Sequence, residues 1–148
     1  ALGFVPTDKR TLQTPVKPNV FALGDATDLP TSKAGSVTHF EAEVLTENIA
    51  RYLADQELDA AYDGHANCFI ETGFHKALLI DFNYETEPLP GHFPTVFGLP
   101  LLRESRLNHL GKLAFQWVYW HALLPGREIP GIGPAMPTAG KKRTPVHT

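Results

Sequence analysis

The sequence predicts an α+β fold, on three observations. A short apolar run, Val20-Phe21-Ala22-Leu23, stops at Gly24-Asp25, and a proline-free stretch with helical apolar spacing follows after a loop. Two mostly apolar runs, residues 68–72 and 76–84, flank Gly73 in the manner of an antiparallel hairpin. A second helical stretch, residues 104–124, stops at Leu-Pro-Gly.

Composition bounds the reading. A chain of 148 residues and 16.3 kDa is one ordinary domain or a piece of a larger protein. Hydrophobic residues at 43% and charged residues at 20% exclude wholesale disorder. The net charge, 13 − 16 = −3, leaves no basic footprint for nucleic acid. One cysteine excludes an internal disulfide framework and a cysteine-based zinc cluster. The 13 prolines mean that much of the chain is irregular or turn-rich. The opening segment, ALGFVPTDKRTLQTP, has no basic region leading into a long apolar run, so no signal peptide is expected. No stretch reaches the ~20 apolar residues that span a bilayer. The chain has no initial methionine, and a portion of a longer protein is expected.

In order, residues 1–59 open with a polar, proline-punctuated segment before the apolar run. Residues 34–54 then read as a helix, on Val37, Phe40, Val44, Ile49 and Leu53. Ala34, Gly35 and Ser36 are small, so another backbone or a ligand can approach its start closely. Residues 60–126 hold the hairpin, a Pro/Gly-rich loop from Pro88 and the second helix. The later half of that helix, LAFQWVYWHALL, is apolar nearly all round. Such a helix can lie in a bilayer interface or pack against its own domain or a neighbouring subunit. Residues 127–148 are Pro/Gly-rich and read as a poorly ordered tail. Its basic run, Lys141-Lys142-Arg143, reads as solvated.

The chemistry begins at Gly24-Asp25-Ala26. A carboxylate at a strand end accepts bonds from ribose-like hydroxyls, and the N-terminus of the next helix offers free N–H groups to phosphate or a polar ring. Taken alone, Gly-Asp is also an ordinary turn. Cys68, at a strand start, is either a buried small hydrophobe or a reactive thiol. His65, three residues earlier, is a candidate influence on that thiol.

Four blocks carry a family resemblance. TPVKPNVFALGDAT resembles the second flavin-contacting motif of two-dinucleotide-domain flavoproteins of the pyridine nucleotide-disulfide oxidoreductase superfamily. PTSKAGSVTHFEAEVLTENI, YDGHANCFIETG and GKLAFQWVYWHALLPG are similar, in family order, to segments of sulfide:quinone oxidoreductases. The resemblance implies the C-terminal portion of such a protein, with one strand–helix unit, a hairpin and an aromatic amphipathic helix. It implies residues 1–59 as the last part of an FAD-binding domain and residues 60–126 as a quinone and interface domain.

Roles follow from the resemblance, residue by residue. Asp25 would bond the ribityl chain of FAD, with Gly24 and Ala26 giving backbone approach. Lys33 would stabilise negative charge on reduced flavin, and Gly35 would lie beside the ring and the quinone. Cys68 would be the member of a redox cysteine pair that accepts sulfur. Phe69 and Phe115 would flank the quinone ring, and Lys112 would line its pocket. The implied activity is oxidation of sulfide to persulfide or polysulfide sulfur, with electrons passing through FAD to a membrane quinone. The implied partners are sulfide, quinone and a membrane surface met peripherally.

No Gly-x-Gly-x-x-Gly follows a strand in this chain, and a second cysteine is absent. The chain alone is therefore expected to be inactive and to bind FAD weakly, and exposed apolar surface is expected to favour homo-oligomers. Two other readings stay open: a flavocytochrome-type sulfide dehydrogenase or type II NADH:quinone oxidoreductase, and a non-enzymatic interaction module in which Cys68 is a core residue.

Overall fold

The computed structural model describes residues 3–127, 129 and 131–142. It is an α+β arrangement of two helices and two small antiparallel sheets. Helix α1, Gly35–Leu53, lies where the apolar spacing places it. Its buried face carries Val37, Phe40 and Val44, and also the polar Glu41 and Asn48, while Ile49 and Leu53 are exposed. Asn48 takes the last buried position because all its hydrogen bonds are met. Its Nδ2 donates to the carbonyls of Thr11 and Asp59, each at 2.9 Å, and its Oδ1 accepts from Asp59 N at 2.7 Å. One amide thus ties the opening loop and the exit segment to the helix.

The strand expected at residues 20–23 is only a bridge. Phe21 pairs antiparallel with Gln13, and Val5 pairs parallel with Thr27. A strand needs a row of partners, and among the described residues this run meets only the hairpin-like loop at residues 12–14. Gly24–Ala26 closes it as a 3-10 turn.

The hairpin forms as expected. Strand β1, Ala66–Gly73, pairs antiparallel with β2, Lys76–Phe82, with Cys68 opposite Ile80 and Phe69 opposite Leu79. The other edge of β2 is met by residues 102–105, through bonds between Leu79 and Leu102 and between Ala77 and Ser105. Ala77, Leu79 and Asp81 form the buried row of β2. A second hairpin lies in the stretch that reads as loop: β3, Gly91–Phe93, pairs with β4, Leu99–Leu101.

Helix α2, Arg106–Val118, continues through a π turn at Tyr119–Leu123. Ser105 caps it by accepting from Asn108 N at 3.0 Å. Asn108 is buried and donates to the carbonyls of Pro100 and Arg103, each at 2.9 Å, which fixes the helix to β4. Gly111 faces Leu99: an added Cβ would lie 2.7 Å from Leu99 Cδ1, so the Leu99 side chain would have to shift. Phe115 reaches Phe69 across the hairpin, ring centres 6.4 Å apart.

The described part of the tail forms only isolated bridges, Ile129 with Ile132 and Gly91 with Lys141. It nevertheless lies on the core. Ile132 packs against both apolar clusters, one around Val37, Phe40 and Tyr62, the other around Leu79, Phe93 and Leu101. Met136 is buried. The basic run corrects the expectation of solvation: the Lys141 side chain is 3% exposed and pairs with Asp81, which is fully buried. Lys142 is exposed, and Arg143 lies outside the described residues.

Asp81 gathers the surrounding elements. Its Oδ1 is 2.7 Å from His65 Nε2 and accepts from Asn67 Nδ2 at 3.1 Å, while Lys141 meets Oδ2. The other ring nitrogen of His65 lies 2.7 Å from the Gly133 carbonyl, and its ring stacks on Phe40 at 4.4 Å. A ring carrying hydrogen on both nitrogens satisfies both acceptors. Asp81→Asn removes the charge that Lys141 and His65 face in a buried site. A loss of roughly 3 kcal/mol is expected in urea unfolding, with earlier proteolysis of the tail. A loss under ~1 kcal/mol would make the cluster incidental.

Candidate functional site

Two cavities meet at a shared wall. The smaller, about 200 Å³, brings Gly35, Cys68, Phe69, Lys112 and Phe115 together from α1, β1 and α2, and adds Ala34, Ser36 and Asn67. The larger, about 490 Å³, lies between α1, the second hairpin, α2 and the tail. Ser36, Asn67, Phe69 and Phe115 border both.

Strand alternation sets this wall. Cys68 and Phe69 are neighbours in β1 and point to opposite faces. Cys68 is a free, half-buried thiol in the smaller cavity, its Sγ 3.6 Å from the Phe69 carbonyl. His65 does not serve this thiol, since both its ring nitrogens are engaged with Asp81 and Gly133.

Gly35 opens α1. The residue before it, Ala34, has extended backbone and gives no side-chain cap, so the first-turn N–H groups keep their donor capacity. Nothing lies within 4 Å of where a Gly35 Cβ would sit. The helix start is therefore open to a polar or anionic group. Lys112 Nζ lies 3.1 Å from Glu71 Oε1, and His109 Nδ1 is 3.0 Å from the same oxygen. The bonds from His109 and then Lys112 hold the Glu71 carboxyl below the usual carboxylate range.

The other four residues singled out in the sequence lie outside the smaller cavity. Gly24 is buried, with φ of 69°, and an added Cβ would come 3.1 Å from Thr38 Oγ1. Its N–H donates to Glu41 Oε2 at 2.5 Å, which fastens the turn to α1. Asp25 and Ala26 are exposed beside it, and Ala26 borders an open groove with Phe21, Leu23 and Leu53. Lys33 donates to the Thr27 carbonyl at 2.6 Å and lies over the Phe4 ring at 5.3 Å.

Sequence reasoning missed Ser36, His39, Phe40 and Glu43 as cavity residues. Their spacing of three and four along α1 is a one-face signal that was available. It missed Phe93 and Phe97 because they stand in the unforeseen hairpin. Among the described residues, no group of three His, Cys, Asp or Glu side chains could hold a metal ion. None of the described helices is long and apolar enough to cross a membrane.

No protein-family model matches the chain. Individual proteins do. The mitochondrial sulfide:quinone oxidoreductase of Schizosaccharomyces pombe is 36% identical over 121 residues, 80% of this chain and 26% of that protein. Proteins of the same name from Mus musculus and Dictyostelium discoideum are 32% and 35% identical, over 84% and 86% of this chain and 27% of each relative. Among solved structures, a chain in the mitochondrial ATP synthase F1Fo composite tetramer of Tetrahymena thermophila matches with a TM-score of 0.56 and 30% identity. The match covers 80% of this chain and 26% of that one. The chain thus spans about a quarter of the length of the curated relatives it matches. The α+β arrangement is consistent with a portion of the oxidoreductases that these relatives are named as. More narrowly, the chain is sulfide:quinone oxidoreductase-like and corresponds to a portion of such a protein.

Glu41 makes a test of the site's foundation. Burial pushes its carboxyl above the usual 4.5, against the bond from Gly24 and the charge of Lys33, which lower it. Its Oε1 has no hydrogen-bond partner among the described residues. The folded state thus holds this proton more tightly than the unfolded chain. The contribution is full below 4.5 and falls as pH rises through the raised value. Glu41→Gln keeps an acceptor for Gly24 and should flatten that slope, read as urea midpoints between about pH 4 and pH 8. An unchanged slope would assign the pH dependence to other groups.

Proposed function

We propose that this chain is the part of a sulfide:quinone oxidoreductase where the redox cysteine, the flavin edge and the quinone site meet. One observation carries the reading. Gly35, Cys68, Phe69, Lys112 and Phe115 come from three separate elements and converge on one cavity beside a larger apolar one.

The residues present fit FAD. The uncapped start of α1 at Gly35 offers N–H donors to the polar edge of the ring, and the small residues there leave room for it. The exposed Asp25 carboxylate, on the turn held by Glu41, would bond the ribityl hydroxyls, with Gly24 and Ala26 allowing close approach. Lys33 would balance negative charge on the reduced ring. When bound, FAD supplies a carrier for two electrons.

Cys68 accepts sulfur as one half of a disulfide: sulfide attacks its Sγ, the S–S bond breaks, Cys68 becomes a persulfide and the other cysteine leaves as a thiolate. That chemistry needs a second cysteine, supplied from outside these 148 residues. Phe69 and Phe115 are the aromatic side chains proposed to flank the quinone ring, and Lys112, steadied by Glu71, the cation that lines the approach. The exposed Leu110, Leu113, Trp117 and Trp120 of α2 and its π turn give a surface for peripheral membrane contact, from which a lipid-soluble quinone is drawn. Residues 1–59 act on the FAD side and 60–126 on the quinone side, with 127–148 as the tail. The chain by itself is inactive.

A second reading, an interaction module, is favoured by one finding, the likeness to a chain of an ATP synthase assembly. Cys68→Ser in the full-length protein separates the two. Sulfide-dependent flavin reduction, followed by stopped-flow absorbance, should fall by at least about a thousandfold with flavin still bound, as for loss of a residue that carries a covalent intermediate. Unchanged rates would make Cys68 structural and sink the sulfide reading.

A further inference from the structure

The larger cavity is apolar on almost every side, and Phe40, Phe69, Phe93, Phe97 and Phe115 border it. Of the described residues that line it, only His39 and Glu43 carry ionisable side chains. They stand one turn apart on α1, with His39 Nε2 3.4 Å from Glu43 Oε1. The other two polar side chains on the wall are engaged. Ser36 Oγ donates to the Asn67 carbonyl, and Asn67 Nδ2 donates to Asp81 at 3.1 Å. His39 Nδ1 has no hydrogen-bond partner among the described residues.

We infer that His39, oriented by Glu43, is the hydrogen-bonding contact for the polar head of a planar ring ligand in this cavity, and on the function proposed above that ligand is the quinone. About 490 Å³ falls within the range of small-molecule sites. The phenylalanine walls suit a flat ring better than a flexible chain. A ring oxygen buried among them loses its water and needs a partner from the wall. His39 can supply it in both redox states of such a ligand. With its hydrogen on Nε2, on the side of Glu43, the neutral ring accepts at Nδ1 from a quinol hydroxyl. The charged ring donates from Nδ1 to a quinone carbonyl. An aliphatic chain would use neither capacity, so the head group, and not the tail, is what this end of the cavity selects.

The test is equilibrium binding to the full-length, flavin-loaded protein, using a decyl-substituted benzoquinone and an uncharged apolar fluorophore, phenylnaphthylamine. His39→Leu should weaken quinone binding roughly tenfold, the worth of one buried hydrogen bond, and leave the fluorophore unaffected. His39→Gln, which keeps a donor and an acceptor, should stay within about twofold of the wild type. Equal quinone affinity in His39→Leu and wild type would overturn the role of His39 alone. Parallel loss of both probes in His39→Leu would make His39 a packing residue and equally overturn it. A wild-type protein that binds the fluorophore but not the quinone would instead overturn the quinone reading itself.

Discussion

A carboxylate placed in the buried row of a strand must collect donors from whatever surrounds it. Asp81 is that carboxylate. It draws in His65 from before β1, Asn67 from β1 and Lys141 from the tail. Through His65 it also reaches the Gly133 carbonyl and the face of Phe40 on α1. Three segments of the chain, around Phe40, His65 and Lys141, are thereby set by a single charge on β2. Apolar packing alone would hold them together less specifically, since apolar contacts carry little direction.

The larger cavity inherits its shape from this cluster. Phe40 is held in place by stacking on His65, and Phe40 is one wall. Ile132, one residue before the carbonyl that His65 bonds, is another. The tail is thus a part of the cavity, joined by Lys141 to the same strand whose neighbour carries Cys68. An ionic centre beneath an apolar cavity has a simple logic. The polar groups satisfy one another below the surface, and the side chains left facing the cavity are mostly hydrocarbon.

What was legible in the sequence was local. Helix α1, the hairpin around Gly73 and helix α2 each announce themselves through spacing and punctuation within about 20 residues. The resemblance then supplied five residues that converge in space, which no periodicity could have grouped. What was not legible depends on distant partners. The run at residues 20–23 has strand composition, but the described residues offer it only a bridge. The second hairpin hides in a proline- and glycine-rich segment whose pairing is fixed by α2 and the tail. Lys141 looked like a surface charge because nothing near it in sequence reveals Asp81. Glu41 and Asn48 look like the polar face of α1, yet both are buried, because the backbone groups they serve come from Gly24, Thr11 and Asp59.

The wall between the two cavities bears on how the proposed chemistry stays ordered. Thiolates and persulfides are strong nucleophiles, and a quinone ring is an electrophile that they attack directly. If both reagents shared one space, covalent addition would compete with electron transfer. In this fold the thiol of Cys68 borders only the smaller cavity, and Phe69 and Phe115, with ring centres 6.4 Å apart, stand on the wall that the two cavities share. The alternation of a β-strand contributes to this, since consecutive residues face opposite sides and Phe69, unlike Cys68, also borders the larger cavity. Gly111 lies where α2 meets this wall, beside Leu99 and the Phe69 ring. On the proposed function, electrons are the only thing the sulfur side and the quinone side need to exchange. Side chains that block atoms while leaving a short distance for electrons are what such a boundary requires.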